Sequence, residues 1–279
     1  MKKLKLLLIS VISAALLTSC SGGTETEVTD SSNNTDNTND MNNTQSALPE
    51  DTAPPESEEN AVSAPITYEI DPTKPVIALT FDDGPNTTTT NEVIDLLEKY
   101  QVRASFFLIG NNINDESAKA VKRAYDLGCE INNHSKTHSY MDKMSAEEIK
   151  EEIAFVSDKV KEITGEPTTF FRPPYIAVND IMYESIDMPF IAGVGCNDWE
   201  DSVDAETRVK RIQRQLRDGV IILMHDAEGN SKTVEALDTL IPFMLEKGYQ
   251  FATVSELFEA KGVAIDGGDT NLYNEVKAE

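Results

Sequence analysis

Between residues 67 and 279, short apolar runs alternate with segments whose apolar positions recur every three to four residues, so strand-like and helix-like stretches follow one another in turn. The expected strands cover residues 75–81, 103–109, 129–132, 169–171, 190–195, 219–224 and 250–254. Helical spacing appears at Val93, Leu97 and Tyr100, at Val209, Ile212 and Leu216, and at Val234, Leu237, Ile241 and Met244. The clearest helix starts at Ser145, where Glu148 completes a capping box, continues through Ile149, Ile153, Val156, Val160 and Ile163, and stops at Gly165 and Pro167. Strands separated by helices run parallel. About seven of them, one short of a closed eight-stranded ring, predict an α/β fold: a distorted or incomplete (β/α) barrel.

Polar chemistry begins where the apolar runs end. Asp82 and Asp83, His134 and His138, Arg172 and Tyr175, Asp198 and Trp199, and His225 and Asp226 each follow an expected strand, and these include all three histidines of the chain. In a parallel barrel the carboxyl ends of the strands open on one face, so these residues gather there from distant parts of the sequence. His134 and His138 are four apart, and a helical turn after the third strand would put both rings on one side. Two imidazoles and a carboxylate, for which Asp83 is the obvious candidate, bind zinc or a similar cation and leave a fourth position open. A hydrogen-bonded structural histidine pair has the same spacing. Thr80-Phe81-Asp82-Asp83-Gly84-Pro85 also reads as a plain turn. Adjacent carboxylates at the end of a buried strand nevertheless repel one another unless positive charge lies beside them. A cation at Asp83 and Arg172 beside Asp82 would supply it.

Composition narrows the partners. The net charge of −25 and pI near 4.4 argue against nucleic acid or anionic lipid headgroups, both of which call for a basic surface. The chain opens with Met1-Lys2-Lys3-Leu4-Lys5 and an apolar stretch at residues 6–17, which has the form of a secretory signal. Leu17-Thr18-Ser19-Cys20 resembles a bacterial lipobox, which makes Cys20 the expected lipidation site and residues 1–20 a lipoprotein signal peptide, with an ordinary cleaved signal and a chance cysteine as the alternative. Residues 21–66, rich in Ser, Thr, Asn, Asp, Glu and Pro, have too little apolar surface to offset their ordering entropy and are expected to form a disordered acidic tether. The expected protein is exported and anchored to the bacterial cell membrane, with residues 67–279 as its folded domain. Besides Cys20 only Cys129 and Cys196 occur, so buried free thiols rather than a disulfide framework are expected.

Taken in order, the Thr80–Pro85 motif, His134-Ser135-Lys136-Thr137-His138, Arg172-Pro173-Pro174-Tyr175, Asp198-Trp199 and Leu223-Met224-His225 resemble the five motifs of the polysaccharide deacetylases, the NodB-homology domains of carbohydrate esterase family 4. The resemblance spans roughly residues 75–258. It implies a NodB-like fold and one divalent ion, zinc first and cobalt, nickel or iron as alternatives, on Asp83, His134 and His138. Asp82 becomes the general base with Arg172 as its charge partner, and His225 the general acid held by Asp198. The Tyr175 N–H would serve the oxyanion, while Trp199 and Leu223 would line the acetyl pocket. The implied activity is removal of acetyl groups from a polysaccharide, an N-acetylglucosamine polymer such as peptidoglycan or a chitin-type chain. One position departs from the family pattern: Gly195 stands where an aspartate is often found, in a Gly195-Cys196-Asn197-Asp198-Trp199 stretch similar to those of relatives linked to acetylated xylan. An acetylxylan esterase is therefore the alternative. A non-catalytic surface carbohydrate-binding lipoprotein is the alternative from another class. A glycoside hydrolase would leave the histidines unexplained. No nucleophile elbow, Walker loop or His-Glu-x-x-His helix occurs.

Overall fold

The computed structural model describes residues 64–278; the expected signal peptide, Cys20 and all but the last residues of the expected tether lie outside them. Within that span the strands are β1 (Val76–Asp82), β2 (Ser105–Leu108), β3 (Glu130–Asn133), β4 (Phe190–Ile191), β5 (Val194–Gly195), β6 (Ile221–His225), β7 (Gln250–Ala252) and β8 (Leu272–Tyr273). The helices are α1 (Thr89–Tyr100), α2 (Ser117–Asp126), α3 (Ala146–Thr164), α4 (Asp180–Ser185), α5 (Ala205–Gln213), α6 (Ser231–Glu246) and α7 (Val254–Ala260). The main sheet runs β3-β2-β1-β6-β5, with β7 paired to the start of β1, and its pairings are parallel. β1 carries no exposed residue, as expected of a central parallel strand covered on both faces. Its Leu79 and Phe81 share one core with Phe106 of β2, Leu97 of α1 and Leu237 and Ile241 of α6, where the apolar stripes of α1 and α6 meet the sheet.

Two expected strands are weaker than their sequences suggest, and these are the places where the barrel is distorted. Residues 169–171 are reduced to Phe171, which bridges Asn133 on one side and Phe190 on the other. The amide of Asn132 accepts the N–H groups of Thr169 and Phe170 in place of a ladder, and Pro173 and Pro174 follow without N–H donors. The run 190–195 breaks into β4 and β5 at Gly193, whose φ is 104° and whose added Cβ would stand 3.0 Å from the Leu223 Cβ. The unexpected β8 pairs with β4 and is too short to show an alternation. Helices α2, α4 and α7 were also not expected from the pattern.

The capping box at Ser145 and Glu148 is present, and α3 ends at Gly165 with φ 89°. Ile66 is buried, and its N–H donates to the Leu127 carbonyl, so packing begins ahead of β1. Cys129 and Cys196 are buried free thiols. Burial pushes both up to about 12, which keeps them in the thiol form at neutral pH.

Candidate metal and catalytic site

The parallel register sets the site. Asp82 at the end of β1 lies opposite His225 on β6 and Phe107 on β2; Phe107 is in turn level with Asn132 on β3, two residues before His134. The chain leaves β1 through Asp83, whose φ of 74° turns its side chain out of the strand's alternation. Three contacts hold that turn: Asn112 Nδ2 donates to the Asp83 carbonyl at 2.8 Å, the Ile109 N–H to the Gly84 carbonyl, and the Gly84 N–H to Asp226 Oδ1. A Cβ at Gly84 would stand 2.5 Å from Asp226 Oδ2, so any larger residue would have to displace that buried carboxylate. Asp226 itself is fully buried, and that burial pushes its carboxyl up to about 7.

The two histidines do come together, but not by a helical turn. The loop after β3 passes through left-handed conformations at Ser135 (φ 66°) and His138 (φ 57°), and the His138 N–H donates to Ser135 Oγ. Glu152 on α3 accepts both the N–H and the hydroxyl of Thr137, bracing the span between the rings. His134 Nδ1 stands 2.7 Å from the Arg172 carbonyl. A carbonyl only accepts, so Nδ1 carries the proton and Nε2 presents its lone pair to the site.

Asp83 Oδ1 is 3.5 Å from His134 Nε2 and 3.4 Å from His138 Nε2, and these three atoms lie within 4.8 Å of one another. Two ligand atoms about 2.1 Å from one ion, at the tetrahedral angle, stand about 3.4 Å apart. The buried Asp83 Oδ1 also has no hydrogen-bond partner. Its spacing and its unmet lone pairs both fit a shared cation. Burial raises the Asp83 carboxyl, but the adjacent His134, with His225 and His138, outweighs it and holds the group down at about 2. Burial, with the neighbouring His134, lowers His138 and so favours the neutral, metal-binding form.

Beside this cluster lies Asp82, only 2% exposed. Its Oδ1 accepts from Arg172 Nη1, and its Oδ2 lies 3.7 Å from His134 Nε2, beside the Asp83, His134 and His138 group. Arg172 is wholly buried with its guanidinium over the Phe107 ring at 4.0 Å. Across the site, His225 Nδ1 is 2.9 Å from Asp198 Oδ1 while its backbone N–H donates to Asp198 Oδ2 at 2.7 Å. Burial lowers His225, but the hydrogen bond and charge of Asp198, with Asp82 and Asp83, outweigh it and raise the ring to about 9.

Asp82, Asp83, His134, His138, Tyr175, Trp199, Leu223 and His225 line one cavity of about 470 Å³, with Arg172 and Asp198 bonded to its lining. Leu223 is nearly buried, whereas Trp199 and Tyr175 are 59% and 55% exposed at the mouth. Sequence reasoning missed Ile176, which also lines the cavity, and Tyr140, whose ring stacks on Tyr175 at 4.1 Å. The placement of Ile176 directly after the Arg-Pro-Pro-Tyr motif was a usable signal; Tyr140 carried none, since the stack joins two separate loops.

An α/β fold with an incomplete barrel and a two-histidine, one-aspartate cluster between a buried carboxylate and an aspartate-held histidine has the parts of a metal-assisted hydrolase. The model of the polysaccharide deacetylase family matches residues 69–188. The chain is 52% identical over 67% of its length to a bifunctional xylanase/deacetylase of Pseudobutyrivibrio xylanivorans, of which it spans only 31%. It is 33% identical to a peptidoglycan-N-acetylglucosamine deacetylase of Bacillus cereus, covering 70% of this chain and 94% of that one. Among solved structures, a family 4 acetyl xylan esterase from Clostridium thermocellum in complex with a cobalt ion is 40% identical and superposes with a TM-score of 0.71 over 72% of this chain and 98% of that one. The chain belongs to the polysaccharide deacetylase family.

Proposed function

We propose that the protein removes acetyl groups from a polysaccharide, with a divalent ion on Asp83, His134 and His138. The observation that carries this reading is that Asp82 and His225, a base and an acid, face the same cavity as the three-ligand cluster from different strands. An ion held there supplies Lewis acidity, lowering the pKa of water and drawing charge from the acetyl oxygen. Asp82 Oδ2 takes a proton as water attacks the acetyl carbon, while Arg172 stabilises and orients the opposite oxygen. The Tyr175 N–H donates to the oxygen that gains negative charge. His225, held through Nδ1 by Asp198, passes a proton from Nε2 to the departing nitrogen or oxygen. Leu223 and Trp199 give the acetyl methyl group an apolar wall. For the ion we propose zinc, with cobalt, nickel or iron also suited to two nitrogens and an oxygen.

As substrate we propose an N-acetylglucosamine polymer, peptidoglycan or a chitin-type chain. The second reading is O-deacetylation of xylan, and two observations favour it: the Gly195-Cys196-Asn197-Asp198-Trp199 stretch, and the xylan-linked relatives named above. A purely sugar-binding role has less support, because both the base and the acid positions are filled and face the cavity. The deciding experiment is an acetate-release screen over peptidoglycan, chitooligosaccharides and acetylxylan, with metal content measured on the same sample. Release from acetylxylan alone would select the esterase; release from none, with metal bound and sugar held tightly, would select the binding module. We further propose that the domain works outside the cell on a lipidated Cys20, its acidic tether giving it reach; the lipobox-like Leu17-Thr18-Ser19-Cys20 supports this.

The acid assignment fixes the sign of one pH dependence. A histidine raised to about 9 keeps its proton below that pH and loses it above. Turnover is therefore expected to fall along an alkaline limb at about pH 9, or lower once a bound cation opposes the imidazolium. Asp198→Asn removes the largest contribution that raises the ring, so in a pH–rate profile the limb should move to lower pH. An unmoved limb would take His225 out of the acid role.

A further inference from the structure

Arg208 on α5 is 1% exposed, yet its guanidinium is met by neutral acceptors. Nε donates to the Val203 carbonyl at 3.0 Å, and Nη1 donates to Asn230 Oδ1 at 2.6 Å and to Thr233 Oγ1 at 2.9 Å. Burying a cation in this way is costly, and apolar side chains of similar volume would fill the space at least as well. What distinguishes an arginine is that it can only donate. A threonine hydroxyl has one proton; because Thr233 Oγ1 accepts from Arg208, that proton is directed onward, and it reaches Asp198 Oδ2 at 2.8 Å. In the same way the Asn230 carbonyl oxygen is held by Arg208, so its Nδ2 must face the other way, where it donates to the His225 carbonyl at 3.0 Å.

The two legs converge on one residue. Asp198 grips His225 at its backbone N–H and its ring Nδ1, and Asn230 grips it at its carbonyl. Thr233 and Asp198 are as buried as Arg208, so the Arg208–Thr233–Asp198 leg runs through the protein interior. We propose that Arg208 is a positioning residue that acts through Thr233 and Asn230 to aim the Asp198–His225 pair at the leaving group. This rests on His225 being the acid of the proposed reaction.

Leaving-group dependence tests it. A sugar hydroxyl or amine needs a proton to depart, whereas the nitrophenolate of 4-nitrophenyl acetate leaves as a stable anion. In the metal-loaded protein, Arg208→Met is expected to lower kcat about 10- to 100-fold on whichever acetylated sugar the protein turns over, and to change nitrophenyl acetate hydrolysis by less than about 3-fold. An equal loss on both substrates would show that Arg208 merely supports the fold, and no loss on either would remove its role. Thr233→Val should reproduce the selective loss and Thr233→Ser should restore activity, a pair that stays informative if Arg208→Met does not fold; a valine variant with full sugar turnover would overturn the proposal. His225→Ala belongs in the same panel. If that variant shows no leaving-group selectivity, the acid assignment itself has failed, and the proposal falls with it.

Discussion

Protein stripped with a chelator is expected to release acetate at least about 1,000-fold more slowly than the metal-loaded form, and to recover when zinc or cobalt is returned. The size follows from the several kcal/mol that a Lewis acid contributes to an acyl-transfer transition state, at tenfold per about 1.4 kcal/mol. The structure gives the reason. Asp83 Oδ1 is buried with no hydrogen-bond partner, and two imidazole nitrogens stand 3.4 and 3.5 Å from it, a spacing too long for good hydrogen bonds and suited to sharing an ion. Without the cation Asp83 Oδ1 keeps no partner for its lone pairs. Metal addition should therefore also raise Tm, a readout independent of turnover. Undiminished hydrolysis by a metal-free sample, checked by elemental analysis, would remove the ion from the mechanism.

Asp82→Asn is expected to keep its metal and lose about 100- to 10,000-fold in kcat, the range for removing a positioned general base. Asparagine preserves the shape and still accepts from Arg172 Nη1, but cannot take a proton. The substitution also leaves the fully buried Arg172 without its counter-charge. The retained hydrogen bond should keep that stability loss below the about 3–5 kcal/mol seen when one partner of a buried ion pair is simply deleted. Metal content by elemental analysis, a denaturation midpoint and acetate release separate the three effects. A variant with normal turnover would leave Asp82 with a purely structural part.

Much of this was legible along the chain because it is local. The uninterrupted apolar run of β1, the capping box at Ser145 and Glu148, and the helical spacing of α1, α5 and α6 each arise from neighbours within a few residues. So does the placing of Asp82, Asp83, His134, His138 and His225 at or shortly after the ends of β1, β3 and β6. Where the sequence pattern failed, a distant contact had overridden it. Residues 169–171 read as a strand, but the Asn132 side chain takes the N–H groups a ladder would have used. The run 190–195 read as continuous, but Gly193 packs under Leu223 and splits it. The histidine spacing suggested a helical turn, but Glu152 on α3, fifteen residues beyond Thr137, braces the loop in another shape.

Residue order alone thus specified which side chains end up at the mouth of the barrel and which elements carry them, because both follow from short-range periodicity and from all strands pointing one way. It left open how far apart those side chains stand. The separations among Asp83, His134 and His138, and the buried relay from Arg208 through Thr233 to Asp198, depend on the register of β1, β2, β3 and β6 and on the packing of α5 against α6. Those are choices among residues tens of positions apart, and chain entropy gives no local preference for one register over another until the whole core has closed.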